Sequence, residues 1–115
     1  MSPAFWARLG GGLMFLDVAL GAFAAHGLKA RLTPEMLAVF ETGARYQAYH
    51  ALALLLLAAM RGPDKAGWCF AGGITLFSGS LYLLALTGER RFGMITPLGG
   101  LLFLAGWALF ALKAA

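Results

Sequence analysis

Four apolar stretches, each near the length needed to cross a lipid bilayer, set the narrowest limit on how this chain folds. They lie at about residues 9–25, 45–60, 67–86 and 92–112. A helix needs about 20 predominantly apolar residues to span the hydrocarbon core, and backbone groups in lipid must be satisfied within the helix itself. The sequence therefore predicts an all-α fold, an integral membrane bundle of four transmembrane helices that forms one domain over residues 1–115.

The composition indicates a surface that faces lipid rather than water. Apolar residues make up 61% of the chain and charged residues 12%, against about 45–50% and 25% in soluble domains. The net charge of +4 would suggest nucleic acid in a soluble protein, but the Lys and Arg residues lie between the apolar runs, where they anchor helices at the headgroups. We expect a multi-pass membrane location, the inner membrane if the source is bacterial, with membrane lipid and no nucleic acid among the partners.

A short additional helix is predicted between the first and second apolar stretches, at about residues 34–43. Thr33 followed by Pro34 is typical of a helix start, with an N-cap residue and a proline at the first helical position. The segment is amphipathic, but it carries Glu35 and Glu41 and is too short to span a bilayer. We expect it to lie at the membrane interface and to end near Gly43.

Polar residues inside the apolar stretches are the candidate functional residues, because an ionisable group near the bilayer centre costs about 2.5–3.5 kcal/mol on insertion scales. Counting along the helices places most of them in one leaflet, near the first and third loops. His50 is the titratable centre of this predicted polar pocket, and Tyr82 is expected to face it from the third span. The set is His26, Arg45, Tyr46, Gln47, His50, Ser78, Ser80, Tyr82 and Thr96.

The polar pocket has two interpretations. An imidazole binds ligands or relays protons near neutral pH, which would make a pocket open to one side a functional centre around His50. In the other interpretation the side chains bond to one another, hold the helix ends together and bind no ligand. For His26 we favour helix capping, since it precedes Gly27 and a histidine at a helix C-terminus interacts well with the helix dipole.

Asp17 is a separate intramembrane acid, within the first apolar stretch. Counting places it near the bilayer midplane, where Thr75 and Ser78 of the third stretch offer hydroxyl groups at comparable depth. It precedes His26 by nine residues, which puts the two side chains on opposite faces of a helix. A lone acid in the first of four short spans is what a proton-coupled small exporter needs; a hydrogen-bonded structural aspartate is the other interpretation.

Four runs of sequence resemble a known family pattern. They are Gly21–Leu28, Tyr46–Leu54, Phe77–Tyr82 and Ile95–Gly100. The pattern is similar to that of the uncharacterised small membrane proteins of domain-of-unknown-function family 423, which includes bacterial inner-membrane proteins and the eukaryotic transmembrane protein 256. The resemblance implies a multi-pass membrane protein of unknown activity and carries no catalytic assignment. Asp17 lies outside the motif, whereas every pocket residue except Arg45 lies within it.

The expected function is that of a small membrane bundle whose polar cluster organises the fold or an interaction surface. We expect no catalysis, cofactor or metal site, since Cys69 is the single cysteine and the sequence has no Cys/His metal spacing. A homo-oligomer or a larger membrane-protein complex is the expected assembly. The alternative is a small proton- or ligand-handling transporter or channel, which a wet pocket at His50 would favour and a dry, mutually bonded one would count against.

Overall fold

The computed structural model describes residues 1–113, and every regular element in that range is helical. The α-helices are α1 (Pro3–His26), α2 (Pro34–Met60), α3 (Asp64–Gly73), α4 (Gly79–Thr87) and α5 (Thr96–Lys113). A π-helical segment, Ile74–Ser78, joins α3 to α4, so that Asp64–Thr87 runs as one long helix. Two 3₁₀ turns, Leu28–Ala30 and Arg90–Met94, complete the connections. The predicted all-α membrane fold is confirmed in its helical content.

Three helical stretches are long and apolar enough to cross a membrane. They are Pro3–Ala30, Asp64–Thr87 and Arg90–Lys113. Helix α2 is not among these three, although its 27 residues correspond to about 40 Å at 1.5 Å per residue. Its apolar C-terminal part follows a polar turn that contains Arg45, Gln47 and His50. By length and apolarity the structure therefore contains three candidate spans rather than the four that the sequence predicted.

The short interfacial helix predicted at residues 34–43 is not a separate element, and the predicted break near Gly43 is wrong. Helix α2 begins where expected, with Thr33 as N-cap accepting from the Met36 amide at 3.1 Å, but it continues unbroken to Met60. Gly43 serves close packing instead. A Cβ there would lie 2.9 Å from the Tyr82 ring, and its carbonyl accepts a hydrogen bond from Ser78.

Helices α1 and α2 pack antiparallel, with an apolar cluster at each end of the bundle. The first cluster joins the start of α1 to the end of α2 and to α3 and α5 through Trp6, Leu54, Leu57, Ala66, Phe70 and Phe110. The second lies at the other end and contains Ala24, Leu28, Phe40 and Ala85. Because side chains of α1, α2, α3 and α5 share the first cluster, the N-terminus of α1 and the C-terminus of α5 lie at the same end.

Glycines bring α5 against the long helix at backbone distance. A Cβ at Gly99 would lie 2.3 Å from the Phe77 nitrogen, and one at Gly106 would lie 2.7 Å from the Phe70 ring. Membrane helices associate through such close approach, because apolar contact with a neighbour gains little over contact with lipid. Close packing at these glycines therefore holds α5 against the π-helical segment. This contact, the seam, positions α5 side chains against α2.

Candidate functional site

The predicted polar residues form several separate contacts around α2 in the structure. His50 faces α5, and Gln47 bonds to both α1 and α4. Tyr82, which was expected to face His50, donates its hydroxyl to the Gln47 side-chain oxygen at 2.6 Å. Residues three apart on a helix point about 60° away from each other, which is how Gln47 and His50 reach different neighbours.

His50 makes two hydrogen bonds that together define its protonation state. Its Nδ1 lies 2.7 Å from the Tyr46 carbonyl oxygen, and its Nε2 lies 3.0 Å from Nε1 of Trp107. A carbonyl only accepts and an indole N–H only donates, so Nδ1 carries the proton and Nε2 accepts. The ring is therefore the neutral Nδ1–H tautomer, and both of its nitrogens are engaged by this chain.

Aromatic rings enclose the imidazole. His50 stacks on Phe103 with ring centroids 3.5 Å apart and planes 6° from parallel, and its exposed fraction is 4%. The residues His50, Tyr46, Phe103 and Trp107 are named the histidine joint here, because they connect α2 to α5. An apolar groove of about 410 Å³ runs along its outer side, past Phe77. The joint is itself tightly bonded, whereas the groove beside it presents almost only carbon atoms.

Gln47 connects three helices through one side chain. Its amide nitrogen donates to the Leu13 carbonyl of α1 at 2.8 Å, while its amide oxygen accepts from Tyr82 of α4. The side chain is buried, with an exposed fraction of 3%. A buried amide is costly unless it is paired, and here both of its ends are used, so Gln47 fixes the register between α1, α2 and α4.

The serine and threonine hydroxyls of the predicted set are also paired. Ser78 of the π-helical segment donates to the Gly43 carbonyl at 2.7 Å. Ser80 and Thr96 lie 2.6 Å apart, joining α4 to the first residue of α5. π-Helical turns frequently occur at functional positions, and this one turns Ser78 toward α2 and places Phe77 against Gly99.

His26 and Arg45 lie apart from the histidine joint. His26 is the last residue of α1, is exposed, and has its Nδ1 2.9 Å from the Ala22 carbonyl oxygen within its own helix. That contact fits the capping interpretation. Arg45 is exposed on α2 and lines a different cavity, which lies between α1 and α2.

Asp17 lines a cleft between α1 and α2. The expected pairing with Thr75 or Ser78 is not present, because those hydroxyls donate to the carbonyls of Ala71 and Gly43. Its Oδ1 is shielded from solvent and has no hydrogen-bond partner within residues 1–113. The carboxyl lines a cleft of about 250 Å³ together with Arg45. The Oδ1 of Asp17 is thus a buried polar atom whose bonding is incomplete within residues 1–113.

Trp107 and Phe103 are the functional-site residues that sequence reasoning missed. Trp107 lies in the second half of α5, well beyond Thr96, the one α5 residue of the predicted pocket. Side chains in a helix point back toward its N-terminus, so the long indole reaches up by about one turn to His50. The direction of α5 and the length of the Trp107 side chain are the features of the sequence that could have predicted this contact.

No three of the histidine, cysteine, aspartate and glutamate side chains in residues 1–113 converge as metal ligands would. His50 has no free nitrogen, and Cys69 is half-buried.

A family model described as a protein of unknown function, DUF423, matches residues 20–100 of the chain. A UPF0382 membrane protein of Staphylococcus haemolyticus is 43% identical over 110 residues, covering 91% of this chain and 90% of the relative. The UPF0382 membrane protein YwdK of Bacillus subtilis is 44% identical, with 86% of each chain covered. The UPF0382 inner membrane protein YgdD of Escherichia coli is also 44% identical, covering 87% of this chain and 81% of the relative. No solved structure matches the chain.

These matches confirm the resemblance that the four sequence runs indicated, together with the membrane location. They extend over nearly the whole chain. Neither the family description nor the names of these relatives state an activity.

Proposed function

Since the chain belongs to the DUF423 family of membrane proteins, we propose that it is a four-span bundle whose buried polar side chains fix helix packing around a non-catalytic interaction surface. The observation that carries this proposal is the bonding of His50. A catalytic base or proton relay needs a nitrogen that substrate or water reaches, and both nitrogens of this imidazole are engaged within the bundle.

The path of the chain supports α2 as the fourth span. Trp6 near the start of α1 donates its indole N–H to the Asp64 carboxylate at 2.8 Å, so α1 and the long helix begin at the same end of the bundle. Helix α2 starts beyond the far end of α1 and finishes at Met60, just before Asp64. If α1 and the long helix cross a bilayer, α2 has to cross it in the opposite direction.

Saturated hydrogen bonding supports a structural role for the polar cluster. The Gln47 amide, the Tyr82 hydroxyl and the Ser78 hydroxyl each bond to another helix. In lipid such bonds contribute about 0.6–2 kcal/mol each, and an unpaired polar group would cost more. The transport alternative needs polar groups that are free to exchange partners along a path, and these three groups do not offer that freedom.

The partners we propose are membrane lipid and either a second copy of the chain or another membrane protein. Apolar side chains such as Phe15 and Leu104 point outward, with exposed fractions of 76% and 68%. Such surfaces contact acyl chains in a monomer and a neighbouring helix in an assembly. Size-exclusion chromatography with light scattering in detergent would distinguish the two arrangements.

Substitution of His50 tests the structural role. The variant His50→Ala removes both hydrogen bonds and the stack on Phe103, so we expect a lower melting temperature than that of the parent. Melting should be followed in detergent between about pH 5 and 8, the range in which histidine ordinarily titrates. A variant as stable as the parent across this range would overturn the structural role and favour a site that binds ligands or protons.

A further inference from the structure

The cleft between α1 and α2 combines charged groups of both signs with open space. It measures about 250 Å³ and is lined by Asp17, Gly21, Ala24, Phe40, Glu41, Ala44 and Arg45. A Cβ built on Gly21 would meet no heavy atom within 4 Å. The cleft therefore has room for a chemical group that this chain does not itself supply.

Asp17 is incompletely bonded in this cleft. The side chain is half-buried, its Oδ1 is fully shielded, and no donor within residues 1–113 lies in hydrogen-bonding reach of that oxygen. Buried polar atoms in proteins are nearly always paired, and an exception calls for a partner such as an ion or a bound group. Asp17 also lines the cleft, where an ionised carboxylate binds donors, preferably cationic ones.

Glu41 and Arg45 add one charge of each sign at the same cleft. Neither side chain forms an ion pair within the part of the chain that the structure describes. Carboxylates at Asp17 and Glu41 and a guanidinium at Arg45 are complementary to a ligand with an ammonium and an anionic group a few ångströms apart.

The cleft runs from Asp17, near the middle of α1, toward the end of the bundle at which α2 begins. Gln47 bonds to the Leu13 carbonyl, so Asp17, one turn further along α1, lies level with about Ala44. Only three residues, or about 5 Å along the axis, separate that level from Glu41. Helix α2 extends beyond Glu41 by two further turns to Pro34. From the end at which α2 begins, the cleft therefore reaches inward to Asp17.

We propose that the cleft binds the phosphoethanolamine headgroup of a membrane lipid, with its ammonium on Asp17 and Glu41 and its phosphate on Arg45. A primary ammonium donates N–H bonds to the carboxylates that line the cleft, and a guanidinium binds phosphate in a two-pronged geometry. Gly21 and Ala44 leave room for the group between the helices. The proposal concerns the α1 side of α2 and does not depend on the role of the histidine joint.

Binding of defined lipids to the full-length protein tests the proposal. The purified chain is placed in nanodiscs or micelles with phosphatidylethanolamine, phosphatidylcholine or phosphatidylglycerol of the same acyl chains, and bound lipid is measured by native mass spectrometry. Phosphatidylcholine lacks N–H donors and phosphatidylglycerol lacks the cation. We expect phosphatidylethanolamine to bind about tenfold more tightly than either, the size that one charge-assisted hydrogen bond supplies.

Two variants locate the binding, and a third is the control. Asp17→Asn removes the charge but keeps the side-chain volume, and Gly21→Leu fills the cleft while leaving the carboxyl in place; each should abolish the preference. Gly12→Leu is the matched control, because Gly12 is an equally open glycine on the same helix but does not line the cleft. It should retain the full preference.

Three results would overturn the proposal. Equal binding of the three lipids by the parent protein is the first, and an unchanged preference in both Asp17→Asn and Gly21→Leu is the second. The third is that free phosphoethanolamine protects the protein against unfolding as well as phosphatidylethanolamine does, which would place the ligand in solution rather than in the bilayer. If the parent shows no preference while Asp17→Asn and Arg45→Gln have strongly non-additive effects on stability, Asp17 pairs with Arg45 and the cleft binds no lipid.

Discussion

The two sides of α2 differ in how completely the polar groups at each side are hydrogen-bonded. On the side facing α5, His50 uses both ring nitrogens and stacks on Phe103. On the side facing the second half of α1, Asp17 has an unpaired oxygen and Gly21 borders open space. Membrane helices are held by close packing and paired polar groups, so the first side has the bonding expected of a structural joint, while the second has the incompleteness expected of a binding surface.

The largest effect should come from a methyl group placed in the seam that supports the joint. The variant Gly99→Ala puts a Cβ 2.3 Å from the Phe77 nitrogen and 2.7 Å from its Cα. Backbone atoms cannot rotate away, so α5 must shift, at a cost of about 1–3 kcal/mol or more. Unfolding in mixed micelles of detergent and denaturant measures the loss.

Gly100→Ala is the matched control for this substitution. It adds the same methyl group one residue further along α5, where the nearest atom is the Phe77 ring at 3.9 Å. This variant should keep the stability of the parent or gain slightly, because alanine favours helix by up to about 1 kcal/mol over glycine. If the two variants are equally stable, the seam is not closed at Gly99.

The helices themselves were predictable from sequence, whereas the role of individual glycines was not. Apolar runs and the Thr33–Pro34 start fixed the beginning of α2 correctly, because capping chemistry is local in sequence. Gly43 was interpreted as a helix breaker, but the structure uses it for contact with Tyr82. From the sequence alone, a glycine that ends a helix cannot be distinguished from one that allows a neighbouring helix to pack closely.

A smaller effect is expected from removing one hydrogen bond of the joint without removing a ring. The variant Trp107→Phe keeps an aromatic side chain but leaves Nε2 of His50 without its donor. We expect a loss of about 1–2 kcal/mol in the free energy of unfolding, the value for interhelical hydrogen bonds in model membrane peptides. Trp68→Phe is the control, since Trp68 is half-exposed and packs edge-on against Trp6 and at a tilt against Phe5. Equal losses in both variants would show that indole size, and not the bond to His50, matters.

Sequence reasoning placed the polar residues in the membrane but could not assign their partners. Depth counting grouped His50 with Tyr82, although the structure bonds Tyr82 to Gln47. It likewise assigned Asp17 to hydroxyls of the third stretch, which bond elsewhere. Depth gives only the position along the bilayer normal; which face each residue presents depends on the packing order of the helices, and this order is a tertiary property.

The smallest effect on stability should come from the side of α2 that faces Asp17, where hydrogen bonding is incomplete. The variant Asp17→Asn removes a charge that no other residue in the described chain bonds through Oδ1, so nothing is broken by the change. In micelles free of phosphatidylethanolamine we expect the free energy of unfolding to change by less than about 0.5 kcal/mol, as for substitutions that break no contact, or to rise because a partly buried charge is lost. Gln47→Ala removes the hydrogen-bond partner of both the Leu13 carbonyl on α1 and the Tyr82 hydroxyl on α4. If the polar bonds of α2 hold the bundle, this variant should lose more free energy of unfolding than Trp107→Phe does in the same micelles. A large loss from Asp17→Asn in these lipid-free conditions would mean that Asp17 is bonded within the protein, and the contrast between the two sides of α2 would disappear.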